Sequence, residues 1–236
     1  MVDAGPSTAT DEPAGTAVRH GRPVHPKLAG RRLYLCTPDR PDLLAFVTAC
    51  VDGGVDVVQL RDKDQEAGPL LERATVLCAR CRELGVPFIV NDRPDLAVGC
   101  DADGVHVGQD DIPAELARRI LGPDAVIGLS THDPAQLAAS VGAPVDYVSA
   151  GPVQATPTKP GRPGVGLGYV TRAVAGAGRP VFVTGGANPM TVAAIVAAGA
   201  DRVVAVRWLT EAADPEGAAR ALRTALDQAL AGRGVT

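Results

Sequence analysis

The sequence predicts a single (β/α)8 barrel of the TIM type behind a disordered N-terminal tail. Three observations carry that prediction. From Arg32 onward, short β-branched runs alternate with longer Ala- and Leu-rich runs of helical period. The alternation repeats eight times over roughly 210 residues, near the small end of the barrel's range and more strands than one doubly wound sheet usually holds. No Ser- or Gly-rich linker divides the repeats, so residues 29–236 read as one domain and residues 1–28 as the tail.

Taken in order, the strands are expected at 33–37, 55–60, 88–90, 104–107, 126–129, 147–149, 181–183 and 202–206. Helices are expected at 42–52, 69–84, 93–98, 113–121, 134–141, 169–177, 189–198 and 215–231. Several open on Pro, whose fixed φ and missing N–H suit a first turn. Gly53, Gly85 and Gly199 follow helical runs, where a left-handed residue commonly ends a helix. The tail is rich in Pro, Gly, Thr and acidic residues, and it lacks the basic and apolar blocks of a signal peptide. The one long irregular stretch, 151–168, follows the sixth strand, and long loops in compact domains are usually functional.

Composition excludes several classes of function. With 46% hydrophobic residues the chain can bury a core, and with 23 basic against 27 acidic residues it offers no positive field to a nucleic acid. Aromatics are 3%, too few to form stacking platforms for bases. No apolar run approaches the roughly 20 residues that a membrane helix needs. Five cysteines, an odd number scattered through apolar segments, suit reduced thiols and a cytoplasmic location. Cys78 and Cys81 share a helix with no second pair, so they read as small buried hydrophobes rather than a zinc or redox motif.

In such a barrel the loops after the strands build the site. The second strand ends on Gln59, Arg61 and Lys63, which alternation puts on one face, an amide and two cations suited to an anion that carries a polar ring. Solvated charge at a strand end is an equal alternative. Asn91 and Asp92 end the third strand, and Asp111 follows the fourth. Two carboxylates from adjacent strand ends suit Mg²⁺, although each Asp taken alone also fits a helix N-cap before Pro94 or Pro113. After the fifth strand, Ser130 can donate to a ligand and Asp133 is placed to cap a helix. His106 and His132 read as hydrogen-bonded structural groups. The loop carrying Thr156, Thr158 and Lys159 resembles a phosphate clamp stiffened by prolines, with Gly164, Gly166 and Gly168 allowing close backbone approach; a merely flexible loop is the alternative. Gly185 and Gly186 are a pair opening a helix after the seventh strand, where barrels often hold phosphate on backbone N–H groups and a helix N-terminus; a tight turn is an equal alternative.

Taken together, Gln59-x-Arg61-x-Lys63, Asn91-Asp92, His106-Val107-Gly108-Gln109-x-Asp111, Ser130-Thr131-His132 and Thr156-x-Thr158-Lys159 resemble the thiamine phosphate synthase family, in order and spacing, over about 32–231. The resemblance implies a transferase that joins a hydroxymethylpyrimidine diphosphate to a thiazole phosphate with Mg²⁺ as cofactor, through a dissociative, carbocation-like step. It implies that Gln59, Arg61, Lys63, Asn91, Ser130 and Lys159 hold the pyrimidine diphosphate, with Lys159, Ser130 and Arg61 acting in catalysis. Asp92 and Asp111 would hold the metal, and Thr156, Thr158, Gly186, Val206 and Arg207 the thiazole phosphate. One departure stands out: the family commonly has Val-Ser where this chain has Val206-Arg207. Expected partners are these small molecules, with no nucleic acid or membrane, and a homo-oligomer is compatible with the sequence. A thiazole phosphate tautomerase and a non-catalytic barrel binding a thiamine precursor are the alternatives.

Overall fold

The computed structural model describes residues 23–156 and 163–234. Eight parallel strands close into a barrel in sequential order: β1 (Leu33–Thr37), β2 (Val57–Leu60), β3 (Phe88–Asn91), β4 (Gly104–Val107), β5 (Val126–Thr131), β6 (Tyr147–Ala150), β7 (Val181–Thr184) and β8 (Arg202–Ala205). Around them lie α1 (Leu43–Asp52), α2 (Ala67–Glu83), α3 (Pro94–Gly99), α4 (Ala114–Leu121), α5 (Pro134–Gly142), α6 (Gly166–Gly176), α7 (Val192–Ala197), α8 (Arg207–Thr210) and α9 (Pro215–Gly232). None of these helices is long and apolar enough to cross a membrane.

Alternation along each strand separates two cores. Leu33 and Leu35 face the helices, in a layer shared with Val58, Leu60 and Val90, whereas Tyr34 and Cys36 face the lumen with Ile89, Tyr147, Phe182 and Val204. The lumen is therefore filled at its lower end by rings rather than by the small aliphatics that dominate the composition. Tyr34, Tyr147 and Phe182 meet there with centroids 5.2–6.1 Å apart in tilted and edge-on arrangements.

Several expectations are corrected. The final residues of the anticipated tail are ordered: Pro26–Leu28 form a 3₁₀ turn, and Leu28, wholly buried, closes the bottom of the lumen. Gly53 has φ −80°, so it is not left-handed; the positive φ of 109° belongs to Gly54. Gly53 is small for another reason, because a Cβ there would collide with the Glu216 carbonyl and Ala219 of α9. Strand β8 stops at Ala205 and Arg207 opens the unexpected helix α8, while α7 starts at Val192 because Asn188 and Thr191 form a hydrogen-bonded turn first. Helix α6 begins at Gly166, which shortens the expected irregular stretch. Cys78 and Cys81 are buried as expected, and desolvation pushes both thiols up.

The N-terminal end of the barrel carries a repeat that the strand pattern did not announce. An aspartate immediately precedes each even-numbered strand: Asp56, Asp103, Asp146 and Asp201. Three of them accept from a backbone N–H on the preceding strand, Asp56 from Arg32 and Leu33, Asp103 from Phe88 and Asp146 from Ile127. Each also meets a cation, respectively Arg223, Lys27, Arg118 and Arg202. Asp56, Asp103 and Asp146 thereby tie one βα unit to the next.

Candidate active site

At the opposite, C-terminal end the strands open into a cavity of about 720 Å³. Gln59, Arg61 and Lys63 from β2, Asn91 and Asp92 from β3, Asp111 after β4 and Ser130 from β5 all line it. So do Thr156, Gly186, Val206 and Arg207. Five strand ends and two loops thus bring the anticipated residues to one chamber. Thr158 and Lys159 fall outside the described residues.

The cavity floor is a chain of buried polar groups. Gln59 donates from Nε2 to the Tyr34 hydroxyl (2.8 Å) and accepts at Oε1 from the Cys36 thiol (3.2 Å). Tyr34 and Tyr147 hydroxyls are 3.0 Å apart, and the Tyr147 hydroxyl lies 2.9 Å from His106 Nδ1. His106 Nε2 is 2.9 Å from Ser130 Oγ, which accepts from Ser149 Oγ at 3.3 Å. His106 is thus a hydrogen-bonded structural group, as expected, and its ring stacks on Tyr147. His132 likewise bonds through Nδ1 to the Gly151 carbonyl.

Asp92 and Asp111 are not helix caps. Asp92 Oδ2 meets Lys63 Nζ at 2.8 Å, and α3 is preceded by Arg93 without a side-chain cap. Asp111 Oδ2 accepts from the Gly108 N–H at 2.9 Å, which folds the loop after β4 back on itself. Asp133 does cap, accepting from Gln136 N at 2.9 Å. Asp92 also has φ 60°, a left-handed conformation that is costly outside glycine and clusters at functional positions. Burial raises the Asp92 carboxyl above the usual carboxylate range, with the Lys63 ammonium pulling it down and Asp111 pushing it further up. Against its own burial, Asp111 is held below that range by its bond to Asp92 and by the Gly108 N–H. Two acidic groups therefore share a short approach, an arrangement that a divalent cation relieves. The donor set, hard oxygens only, fits Mg²⁺. No cluster of three or more His, Cys, Asp and Glu suited to a metal occurs among the described residues.

On the other side of the mouth, Gly185 and Gly186 have φ of 98° and 88°. Their turn packs tightly, since a Cβ on Gly185 would lie 2.6 Å from Pro152 Cα and Val153 N. The turn does not open directly into a helix, because α7 begins six residues later, so any anion held there meets loop N–H groups. Arg207 is exposed at the rim, and neither it nor Arg61 meets a carboxylate among the described residues.

Sequence reasoning missed Tyr34, Tyr147 and Ser149, which lie on inward-facing positions, and Gln109, whose Nε2 bonds to the Ser130 carbonyl at 2.6 Å. A usable signal was present: two of the chain's three tyrosines occupy strand positions in a sequence otherwise poor in rings.

Residues 33–209 match the model of a family described as thiamine monophosphate synthase. The chain is 48% identical over 214 residues to a thiamine-phosphate synthase of Saccharopolyspora erythraea, covering 86% of this chain and 96% of that one. It is 46% identical over 217 residues to a thiamine-phosphate synthase of Mycobacterium tuberculosis, covering 86% and 98%. Among solved structures, a thiamine phosphate pyrophosphorylase from Pyrococcus furiosus superposes with a TM-score of 0.78 at 28% identity, covering 90% of this chain and 98% of that one.

Proposed function

The chain belongs to the thiamine monophosphate synthase family, and from that premise we propose how its residues divide the work. It is a transferase that makes thiamine phosphate from small-molecule substrates. The substrates are a hydroxymethylpyrimidine diphosphate and a thiazole phosphate. The C–O bond to the diphosphate breaks first and its electron pair leaves with pyrophosphate. The aminopyrimidine spreads the positive charge left on the methylene carbon. The thiazole nitrogen then donates its lone pair to that carbon, so no protein nucleophile is required.

Arg61, Lys63 and Lys159 are assigned to the diphosphate, with Asn91 as a neutral contact. Gln59 and Ser130 hold the pyrimidine end. Lys159, Ser130 and Arg61 are the catalytic groups, because charge grows on the leaving oxygen as the bond opens, and preorganised cations are worth most where charge develops. A unit charge pair at about 4 Å contributes roughly 4 kcal/mol at an effective dielectric near 20, before desolvation is subtracted. Asp92 and Asp111 would hold Mg²⁺, which when bound neutralises the departing pyrophosphate. Lys63, paired with Asp92, keeps that carboxylate oriented. Thr156, Thr158, Gly186, Val206 and Arg207 take the thiazole phosphate and set its ring nitrogen against the reacting carbon, a proximity effect.

The carrying observation is the cavity itself: cations, an oxygen-only carboxylate pair and a buried polar floor meet in one chamber. A tautomerase would have no need of the carboxylate pair or of Lys63 beside it. The test mixes purified protein with both substrates, with and without Mg²⁺. Thiamine phosphate and pyrophosphate should form one for one and stop on chelation. Absence of product, or product indifferent to chelator, overturns the assignment.

A further inference from the structure

The polar chain beneath the cavity has a direction, which follows from counting protons. Gln59 spends its amide N–H on the Tyr34 oxygen, and its carbonyl takes the Cys36 thiol proton. Tyr34 then has its own proton left to give, and its other partner is the Tyr147 hydroxyl. Tyr147, having accepted from Tyr34, gives its proton to His106 Nδ1. Burial pushes both tyrosine hydroxyls up, so neither loses its proton to solvent. With Nδ1 accepting, the imidazole hydrogen sits on Nε2 and is donated to Ser130 Oγ. Ser149 donates to the same oxygen. Both lone pairs of Ser130 Oγ are then filled, and its own hydrogen can only point away from them.

We propose that His106 is a positioning residue, locked as the Nε2–H tautomer by Gln59, Tyr34 and Tyr147, so that Ser130 offers its hydroxyl hydrogen to an acceptor atom of the pyrimidine diphosphate. With the opposite direction, His106 Nδ1–H would donate to Tyr147 and Tyr147 to Tyr34. The Tyr34 proton would then be stranded in a fully buried site, and Ser130 would spend its hydrogen on His106 Nε2. A stranded buried donor costs about 1–3 kcal/mol.

The fold makes room for this relay. Gly128 on β5 faces the lumen where a side chain is expected, and a Cβ there would overlap the Tyr147 ring and hydroxyl and His106 Nδ1. The space that a residue on β5 would fill is given to the Tyr147–His106 contact, whose rings lie 5.5 Å apart at 27°. The relay thus runs across the barrel, from β2 and β1 to β6, β4 and β5.

The inference rests on the assignment of Ser130 to the substrate, but its main test does not require turnover. Ligand-free protein carrying ¹⁵N-histidine is studied by long-range ¹H–¹⁵N correlation, with the His106 signals identified by their loss in His106→Gln. In the unsubstituted protein Nδ1 should be bare and Nε2 protonated. Tyr147→Phe removes the donor to Nδ1 and should move its ¹⁵N resonance to that of an unbonded bare ring nitrogen. In the same variant, kcat should fall about tenfold, one hydrogen bond's worth, with KM for the thiazole phosphate within twofold. A protonated Nδ1 in the unsubstituted protein, or an Nδ1 resonance that does not move in Tyr147→Phe, overturns the proposal. A protein that makes no thiamine phosphate would count against the assigned reaction and leave the spectrum to be read on its own.

Discussion

The two ends of the barrel use the same side chain in opposite ways. At the N-terminal end Asp56 accepts two backbone N–H groups and a guanidinium, and Asp146 accepts one N–H and the Arg118 guanidinium. At the C-terminal end Asp92 and Asp111 lie in direct contact at the cavity mouth, Asp92 paired with the Lys63 ammonium and Asp111 with the Gly108 N–H, and Asp92 holds a left-handed backbone. The first pair of sites is saturated by the fold. The second has fewer partners among the described residues, and it is the pair proposed to hold Mg²⁺. On the proposed assignment, facing the cavity with few fold partners, more than burial, separates a binding carboxylate from a scaffolding one.

The sharpest way to break that contrast is to remove a carboxylate at each end. Asp92→Ala and Asp111→Ala should each lower Mg²⁺-dependent kcat/KM by at least about a hundredfold, the scale of losing one preorganised charge interaction at a developing anion. Their denaturation midpoints should stay level or rise, because two acidic groups no longer crowd one another. Mg²⁺ titrations of turnover, run beside urea melts, read both halves. Intact Mg²⁺ dependence in both variants would remove the metal assignment.

Asp56→Ala should show the mirror image. It leaves two N–H groups without their acceptor and takes one partner from Arg223, which keeps Asp227 and the Gly54 carbonyl, a loss of about 3 kcal/mol by the usual cost of stranding buried donors. The folded fraction should keep its kcat, since Asp56 lies at the far end of the strands from the cavity. Asp103→Ala should cost less, because the partner lysine is 47% exposed and surface pairs contribute little. Urea midpoints that fall equally for both would show that the ladder N–H bonds, and not the cations, do the stabilising.

Arg207→Ser sharpens the comparison within the active end. The exposed guanidinium has no carboxylate partner among the described residues, so its removal should leave the melt unchanged. With the thiazole phosphate assigned beside it, KM for that substrate should rise about tenfold with kcat nearly constant, the mark of uniform binding. The wild-type KM should also climb with ionic strength more steeply than the variant's. A KM that does not move would mean that loop N–H groups hold the phosphate alone.

How far these features could be read beforehand depends on their range in sequence. Period and punctuation are local, so the eight strands and the barrel class were visible, as was the gathering of Gln59, Arg61, Lys63, Asn91, Asp92, Asp111 and Ser130 at one end. Ends of elements were less so: β8 stops before Val206 because its chain turns into α8, and α7 is delayed by the Asn188–Thr191 turn. What no local pattern carries is contact across the lumen. Tyr34 and Tyr147 are 113 residues apart, and Gly128 has its meaning only through the side chains that cross in front of it. Leu28 was assigned to the tail because one apolar residue among prolines and polar groups carries no period, yet it closes the barrel floor.

The smallest effect decides whether location along the barrel or facing the cavity is the better rule. Asp133 stands at the same end as the pair proposed to hold Mg²⁺ but does not line the cavity: its Oδ1 caps α5 through Gln136 N, and Gln136 Oε1 reaches back to the His132 N–H. If position along the barrel axis governed function, Asp133→Ala would damage turnover as Asp92→Ala does. Because the group caps a helix and lies outside the cavity lining, the variant should instead lose about 1 kcal/mol of stability, the usual worth of an N-cap, and keep kcat and both KM values within about twofold. Asp133→Asn or Asp133→Ser, which still accept the Gln136 N–H, should recover most of that stability. A marked fall in kcat for Asp133→Ala, with the melt unaltered, would show that an aspartate at this end acts in turnover even when it caps a helix.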